Sequence, residues 1–229
     1  MKKSDKLYKA YLDILEAELK PAMGCTEPIA VAYCAAKARE VLGETPDVVD
    51  IKVSGNIIKN VKSVVVPNTG GMKGIEAAAA AGIVAGDASR ELEVIASVEE
   101  SKKAEIKTYL ETATFTVAPT YGEELLEIII TVKKGDQSAM VQICKAHANI
   151  VLIKKNDQII FEKGAQGEGG TAGVDKHLLD VEDVIDFANS VDIEDVKELL
   201  DRQIRYNSSI SDEGLKENWG ANIGKLLAS

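Results

Sequence analysis

The chain is short of the residues that build disulfide scaffolds, metal knuckles and membrane spans. Its three cysteines, Cys25, Cys34 and Cys144, are odd in number and show no C-x-x-C spacing. That excludes a closed disulfide framework and a zinc knuckle, and leaves at least one thiol free. Basic residues are outnumbered, 27 lysines and arginines against 37 acids, for a formal charge of −10. A phosphate backbone is therefore excluded as a partner, because nucleic-acid binders display a basic face. No apolar run approaches the roughly 20 residues needed to cross a bilayer. The longest, Ala77 to Ala85, stops well short, and the two early lysines in MKKSDKLYKAYLDILEAELK are followed by no apolar block. That beginning reads as a helix and not as a signal peptide. These absences lead us to expect a cytoplasmic protein with a small-molecule ligand, no membrane and no nucleic acid.

What is present suits a folded domain. With 229 residues, 45% hydrophobic and 28% charged, the chain has room for one large domain or two small ones. Leu7, Tyr11, Leu15 and Leu19 recur every fourth residue, the stripe of an amphipathic helix that stops near Pro21. A second helix is expected from Thr26, as its N-cap, with Pro28 in the first turn and Gly43 as its C-terminal stop. Val48–Ser54 and Val61–Val66 read as β-branched strands joined by a connection at residues 55–60. Pro67-Asn68-Thr69-Gly70-Gly71 then feeds an Ala-rich helix ending near Gly86, and Glu99–Glu111 is a charged helix. Thr114–Val117, Leu125–Lys133, Ser138–Lys145, Ile150–Lys154 and Gln158–Glu162 read as an antiparallel meander. Helices over about 181–189, 193–205 and 211–227 close the chain. The resulting expectation is an α+β fold, a mainly antiparallel sheet packed with helices at both chain ends. The Gly-rich stretch 164–173 is the one linker candidate.

Four features invite chemistry, the glycine fingerprint, the cysteines, the Thr69 turn and His147, and each has a plainer reading. Gly167, Gly169 and Ala172 satisfy the dinucleotide fingerprint, yet they follow a β-rich stretch and do not open an early βαβ unit, so a loop is the expectation. Cys34, mid-helix among alanines, and Cys144, in an apolar strand, read as buried small hydrophobes. Cys25 stands before a helix N-terminus, where the dipole and free N–H groups favour a thiolate, although flanking Met23 and Ile29 leave a buried, inert cysteine open. Thr69-Gly70-Gly71 offers backbone donors for a carboxylate or phosphate, or is an ordinary turn and cap. His147 and Asn149, two residues apart at a strand end, point the same way. His147 is then a base, a donor to a substrate carboxylate or a satisfied core group.

Taken together, Lys20-Pro21-Ala22-Met23-Gly24-Cys25-Thr26-Glu27-Pro28-Ile29, Ser54-Gly55-Asn56 with Lys59-Asn60, Val65-Val66-Pro67-Asn68-Thr69-Gly70 and His147-Ala148-Asn149-Ile150 resemble the cysteine desulfidase family, a serine-dehydratase-like group. Over nearly its whole length the chain resembles the amino-terminal half of such enzymes. The resemblance implies a carbon–sulfur lyase that takes L-cysteine to pyruvate, sulfide and ammonia, with a [4Fe–4S] cluster to which Cys25 contributes one ligand. The other ligands are implied in a carboxy-terminal half, which would be a partner of this chain, and the chain by itself would be inactive. His147, Lys59 and Asn56 are the implied catalytic residues, and Asn60, Thr69, Gly70 and Asn149 the substrate-binding ones. An iron–sulfur L-serine dehydratase and a non-catalytic binding or oligomerisation module are the alternatives, and self-association is open.

Overall fold

Apolar and alanine side chains surround α2 (Thr26–Leu42) on every side, and from Pro28 to Ala36 each residue is buried. A helix that is apolar all round must be covered all round. In the computed structural model, which describes residues 1–163, 174–218 and 221–229, the cover is a β-sheet on one side and a second Ala-rich helix, α4 (Ile75–Ala85), on the other. Close approach of the two helices depends on Gly82, where a Cβ would stand 2.0 Å from the Ala32 carbonyl oxygen. No side chain larger than hydrogen fits there.

The sheet has the order β2-β1-β3-β4-β5-β6, with β1 at Val48–Val53, β2 at Thr114–Pro119, β3 at Glu127–Lys134, β4 at Gln137–Cys144, β5 at Ile150–Lys155 and β6 at Gln158–Glu162. Strands β3 to β6 form an antiparallel meander. Period-two burial in β1, β3 and β4 turns Val49, Ile51, Val53, Ile128, Ile130, Val132, Val141 and Ile143 inward to the core, where β3 and β4 meet α2. The fold is thus α+β with a mostly antiparallel sheet and helices at both chain ends, as the sequence suggested.

Several local expectations are corrected. Residues 55–61 are not a connection: Gly55–Val61 forms α3, in which Ile57 and Val61, four apart, are buried on one face. Val61–Val66 is accordingly not a strand, and only Val65 makes an isolated bridge, to Lys73. β-Branched composition favoured a strand, but Val61 ends α3, Lys62 and Ser63 turn, and residues 64–66 are irregular apart from the bridge. Strand β2 stands outside the meander, paired parallel to β1 at the sheet edge. The N-cap of α2 is Cys25 and not Thr26, while Gly43 closes the helix at φ +94° as expected. A short 3₁₀ helix at Ala88–Glu93 went unforeseen; the charged helix α5 spans Glu100–Thr112.

The chain divides into two compact units, Ala22–Thr171 with the sheet, and Met1–Pro21 with Ala172–Ser229. In the second unit α1 (Lys6–Glu18), α6 (Val181–Ser190) and α7 (Ile193–Lys216) assemble on a small aromatic core, and α8 (Ile223–Ala228) contacts α7. Helix α7 runs through the break expected between 205 and 211. Tyr8 and Tyr11 meet the Phe187 ring at centroid distances of 5.4 and 5.3 Å. Their hydroxyls donate to Asp195 and to the Leu178 carbonyl. Asp180 and Asp192 cap α6 and α7 by accepting from Glu182 and Glu194 N–H. The loop expected at 164–173, with Gly167, Gly169 and Ala172, lies outside the described residues, as does Trp219-Gly220. No helix among the described residues is long and apolar enough to cross a membrane.

Candidate functional site

The first turn of α2 gathers the polar residues of the sheet-bearing unit. Gly24, at φ +78°, turns the chain so that Cys25 caps the helix and Thr26 and Glu27 open it. An acid in the first turn complements the helix dipole. The Glu27 carboxylate accepts from the Cys25 thiol at 3.1 Å and from the Asn60 amide at 3.0 Å. Asn60 comes from the last turn of α3, so the helix that sequence reading missed supplies one arm of the site. The hydrogen bond from Cys25, and after it those from its own backbone and Asn60, hold the Glu27 carboxyl below its ordinary value. Glu27 is ionised at neutral pH.

From the opposite side comes His147, in the turn between β4 and β5. Its Nε2 lies 3.1 Å from the Thr26 hydroxyl. Burial of the ring pushes the His147 pKa down, and the opposing pull of the Glu27 charge is the smaller effect. The imidazole is thus neutral at pH 7, and in the tautomer with its proton on Nδ1 the Nε2 accepts from Thr26 or from a ligand that replaces it.

The thiolate expected at Cys25 is corrected. Burial first, then the hydrogen bond to Glu27, push the Cys25 thiol up and not down. The Glu27 backbone N–H at the helix N-terminus still favours the thiolate, but burial and the neighbouring carboxylate outweigh it. Cys34 is wholly buried, its thiol 3.3 Å from the Val141 carbonyl. Cys144 is half-buried, not sealed in the core as expected.

The other sequence candidates scatter. Asn56 and Lys59 lie on the exposed side of α3, one turn and one residue from Asn60. Thr69 is buried with its hydroxyl donating to the Val66 carbonyl at 2.7 Å, so it serves its own turn. Gly70, at φ +74°, stands beside the Lys103 side chain of α5. Asn149 faces inward to its own turn, donating to the Cys144 carbonyl at 2.7 Å. Cys25, Asn60 and His147 are therefore brought together, whereas Thr69, Gly70 and Asn149 make other contacts. Sequence reading missed Thr26 and Glu27 as participants. Both stood in the Gly-Cys-Thr-Glu-Pro block, and the signal was a hydroxyl and a carboxylate in one helical first turn.

An iron–sulfur cluster needs several thiolates converging on one point. Among the described residues no three His, Cys, Asp or Glu side chains converge to hold a metal ion. Cys25 is a single exposed thiol, and Cys34 is sealed beneath the sheet. These residues do not fit a cluster, and no chemistry below runs through one.

Comparison with known proteins finds relatives along almost the entire chain. It is 53% identical over 99% of its residues to a UPF0597 protein of Desulfitobacterium hafniense. It is 48% identical over 96% to one of Lachnoclostridium phytofermentans, and 36% identical over 96% to one of Shewanella oneidensis. The chain spans about half the length of the curated relatives it matches: 53%, 53% and 52% of these three. No family model matches it, and no solved structure does. The expected identity as the amino-terminal half of a cysteine desulfidase is corrected by these matches. The relatives carry the UPF0597 name, which states no activity. The blocks behind that expectation are short runs, and three of them supply the cluster of Cys25, Thr26, Glu27, Asn60 and His147, while the fourth holds its own turn at Thr69.

Proposed function

We propose that the cluster at the start of α2 is the acid–base centre of a lyase that removes the β-substituent of a small amino acid, hydrosulfide from L-cysteine in the first instance. The observation that carries the reading is the His147 imidazole, kept neutral by burial and held 3.1 Å from the Thr26 hydroxyl beside the ionised Glu27. A neutral imidazole aimed at a site within hydrogen-bond reach is a general base. His147 Nε2 takes the α-proton, the Cα–H electron pair forms the Cα–Cβ double bond, and the Cβ–S bond breaks with its pair leaving on sulfur as hydrosulfide. Glu27 stabilises the imidazolium so formed, and Asn60 keeps the carboxylate oriented. The aminoacrylate tautomerises to the imine, which water hydrolyses to pyruvate and ammonia.

Lys59 and Asn56 share α3 with Asn60 and are exposed, which suits them to receive the substrate carboxylate. The Cys25 thiol stays protonated at neutral pH because its pKa is raised, and it serves as a donor holding Glu27. Hydrosulfide leaves as an anion more readily than hydroxide, so this set of groups favours a sulfur substrate over serine.

The test is an anaerobic assay of this chain, and of the Desulfitobacterium hafniense relative at about twice its length, with L-cysteine and L-serine. Sulfide and pyruvate in equal amounts from cysteine, lost in His147→Asn, support the proposal. Serine turnover without sulfide release reverses the substrate order. Tight amino-acid binding with no turnover in either protein replaces the lyase with a binding module.

A further inference from the structure

The turn that carries His147 is strained and heavily wired. Lys145 adopts φ +68°, a left-handed conformation that costs a residue with a Cβ. Such a conformation persists where surrounding bonds over-determine it. Ala146 N–H donates to the Cys144 carbonyl at 2.9 Å, Asn149 N–H to the Ala146 carbonyl at 3.0 Å, and Cys144 N–H to the Asn149 carbonyl at 3.1 Å. The Asn149 side chain closes the turn, its amide donating to the Cys144 carbonyl at 2.7 Å.

An amide that donates on one side still has an oxygen to satisfy. That oxygen accepts from the Lys163 ammonium at 2.6 Å. Lys163 comes just after β6, two strands from β4, and its own N–H donates to the Val151 carbonyl at 2.9 Å. Its backbone is thereby fixed to β5, and the reach of its side chain is set by the sheet. A charge-assisted hydrogen bond of this length is among the strong ones. It also selects which way round the Asn149 amide stands, because only the oxygen can receive an ammonium.

We propose that Lys163 is a positioning residue of the proposed lyase site: it locks the Asn149 amide and, through it, the turn that holds His147 against Thr26. The role rests on the lyase reading only for its catalytic consequence; the positioning itself is a statement about the His147 ring. With Lys163 shortened to an apolar side chain, Asn149 is free to rotate toward water and the turn loses the bond that opposes the Lys145 strain. The His147 ring then leaves its half-buried seat, where Glu27 is the charged group facing it.

The experiment follows the His147 ring through a pH titration by 1H–15N correlation NMR in the wild type, Lys163→Met and Lys163→Arg, with thermal unfolding measured alongside. In Lys163→Met the midpoint is expected to rise toward the ordinary histidine value of about 6.5, with Lys163→Arg returning it toward the wild type. In the sulfide-release assay kcat falls about tenfold to a hundredfold in Lys163→Met while KM stays within about twofold, the pattern of a misplaced base. An unchanged midpoint in Lys163→Met, or an equal rise in Lys163→Arg, overturns the proposal. If His147→Asn keeps full turnover while Lys163→Met still moves the His147 midpoint, the lyase reading fails and the positioning role stands.

Discussion

The middle of the chain and its two ends bury apolar surface in opposite ways. In the sheet-bearing unit Ile29, Ile51, Ile57, Ile128, Ile130 and Ile143 are all but sealed, and helices meet closely enough to exclude a methyl group at Gly82. Among the described residues of the helical unit, Tyr8, Tyr11, Phe187 and Val196 make the buried cluster, and Ile14 is the other buried hydrophobic. Around them Ile193, Ile210, Leu226 and Leu227 are each more than two-thirds exposed. A unit with so little buried surface depends on the few contacts it has, and its tyrosines add hydroxyl bonds to caps and carbonyls. The candidate site lies on the densely packed unit, where the surroundings can hold side chains in place.

If that contrast is right, the same kind of lesion should have different reach in the two units. The largest effect is expected from Phe187→Ala, which removes the ring both tyrosines pack against and costs about 3–5 kcal/mol. Hydrogen exchange should then show the amides of α1, α6 and α7 exchanging together while β3 and β4 keep their protection. Loss of protection in both units at once would mean that they do not behave as separate cooperative bodies. Next comes Gly82→Ala, which drives a methyl group into the Ala32 carbonyl and costs about 3 kcal/mol, the upper end for overpacking. Here the sheet unit should lose its denaturation midpoint while α7 stays protected.

A smaller effect concerns pH. The folded His147 binds its proton less readily than an unfolded histidine, so between the folded pKa and about 6.5 the unfolded chain holds more protons. Stability therefore rises with pH through that window and is lost as the pH falls through it. His147→Asn should flatten the slope in urea midpoints measured from pH 7 downward, before the low-pH loss that Glu27 brings as its depressed pKa is passed. A slope unchanged by the substitution would place the ring in water. The smallest expected effect leaves stability alone. Cys25 should alkylate in the native state while Cys34 does not, with a rate that climbs as the pH rises toward 9 and beyond, because the raised thiol must first ionise. Glu27→Gln should speed labelling at Cys25 a few-fold at neutral pH; a slower rate would show that the carboxylate does not raise the thiol.

Sequence periodicity was a good guide wherever one residue face decided burial. The four strands of the meander, α1 and α2 follow from period-two and period-four patterns with local stops at Pro21 and Gly43. It failed at α3, because Ile57, Ile58 and Val61 are β-branched residues placed in a helix by the core they enter, which local propensity does not register. It failed also for β2, whose composition fits any edge of the sheet and whose parallel pairing to β1 depends on a long crossover. At the site, Cys25 and His147 were legible from their positions at a helix start and a strand end, and Asn60 only through the resemblance of its block. Glu27 was hidden by its ordinary type, and burial of Cys25, with Glu27 adding to it, reversed the expected sign at the thiol. The role of Lys163 was beyond reach, since it depends on two strands and a turn being in register.

The place of β1 in the sheet also sets an order of events for the growing chain. Val48 pairs on one side with Thr114 and on the other with Lys133, so the strand is synthesised long before either neighbour exists. Both edges of the strand stay open until residue 119 has emerged, and the edge that takes β3 stays open until residue 134; contacts of such sequence separation form slowly. Helix α2 is made before β1 and helices α3 and α4 in the interval, and none of them closes the strand's hydrogen-bonding edges. Nascent chains halted just after β2 should therefore be markedly more prone to aggregate than chains halted after β4, where both edges of β1 are closed.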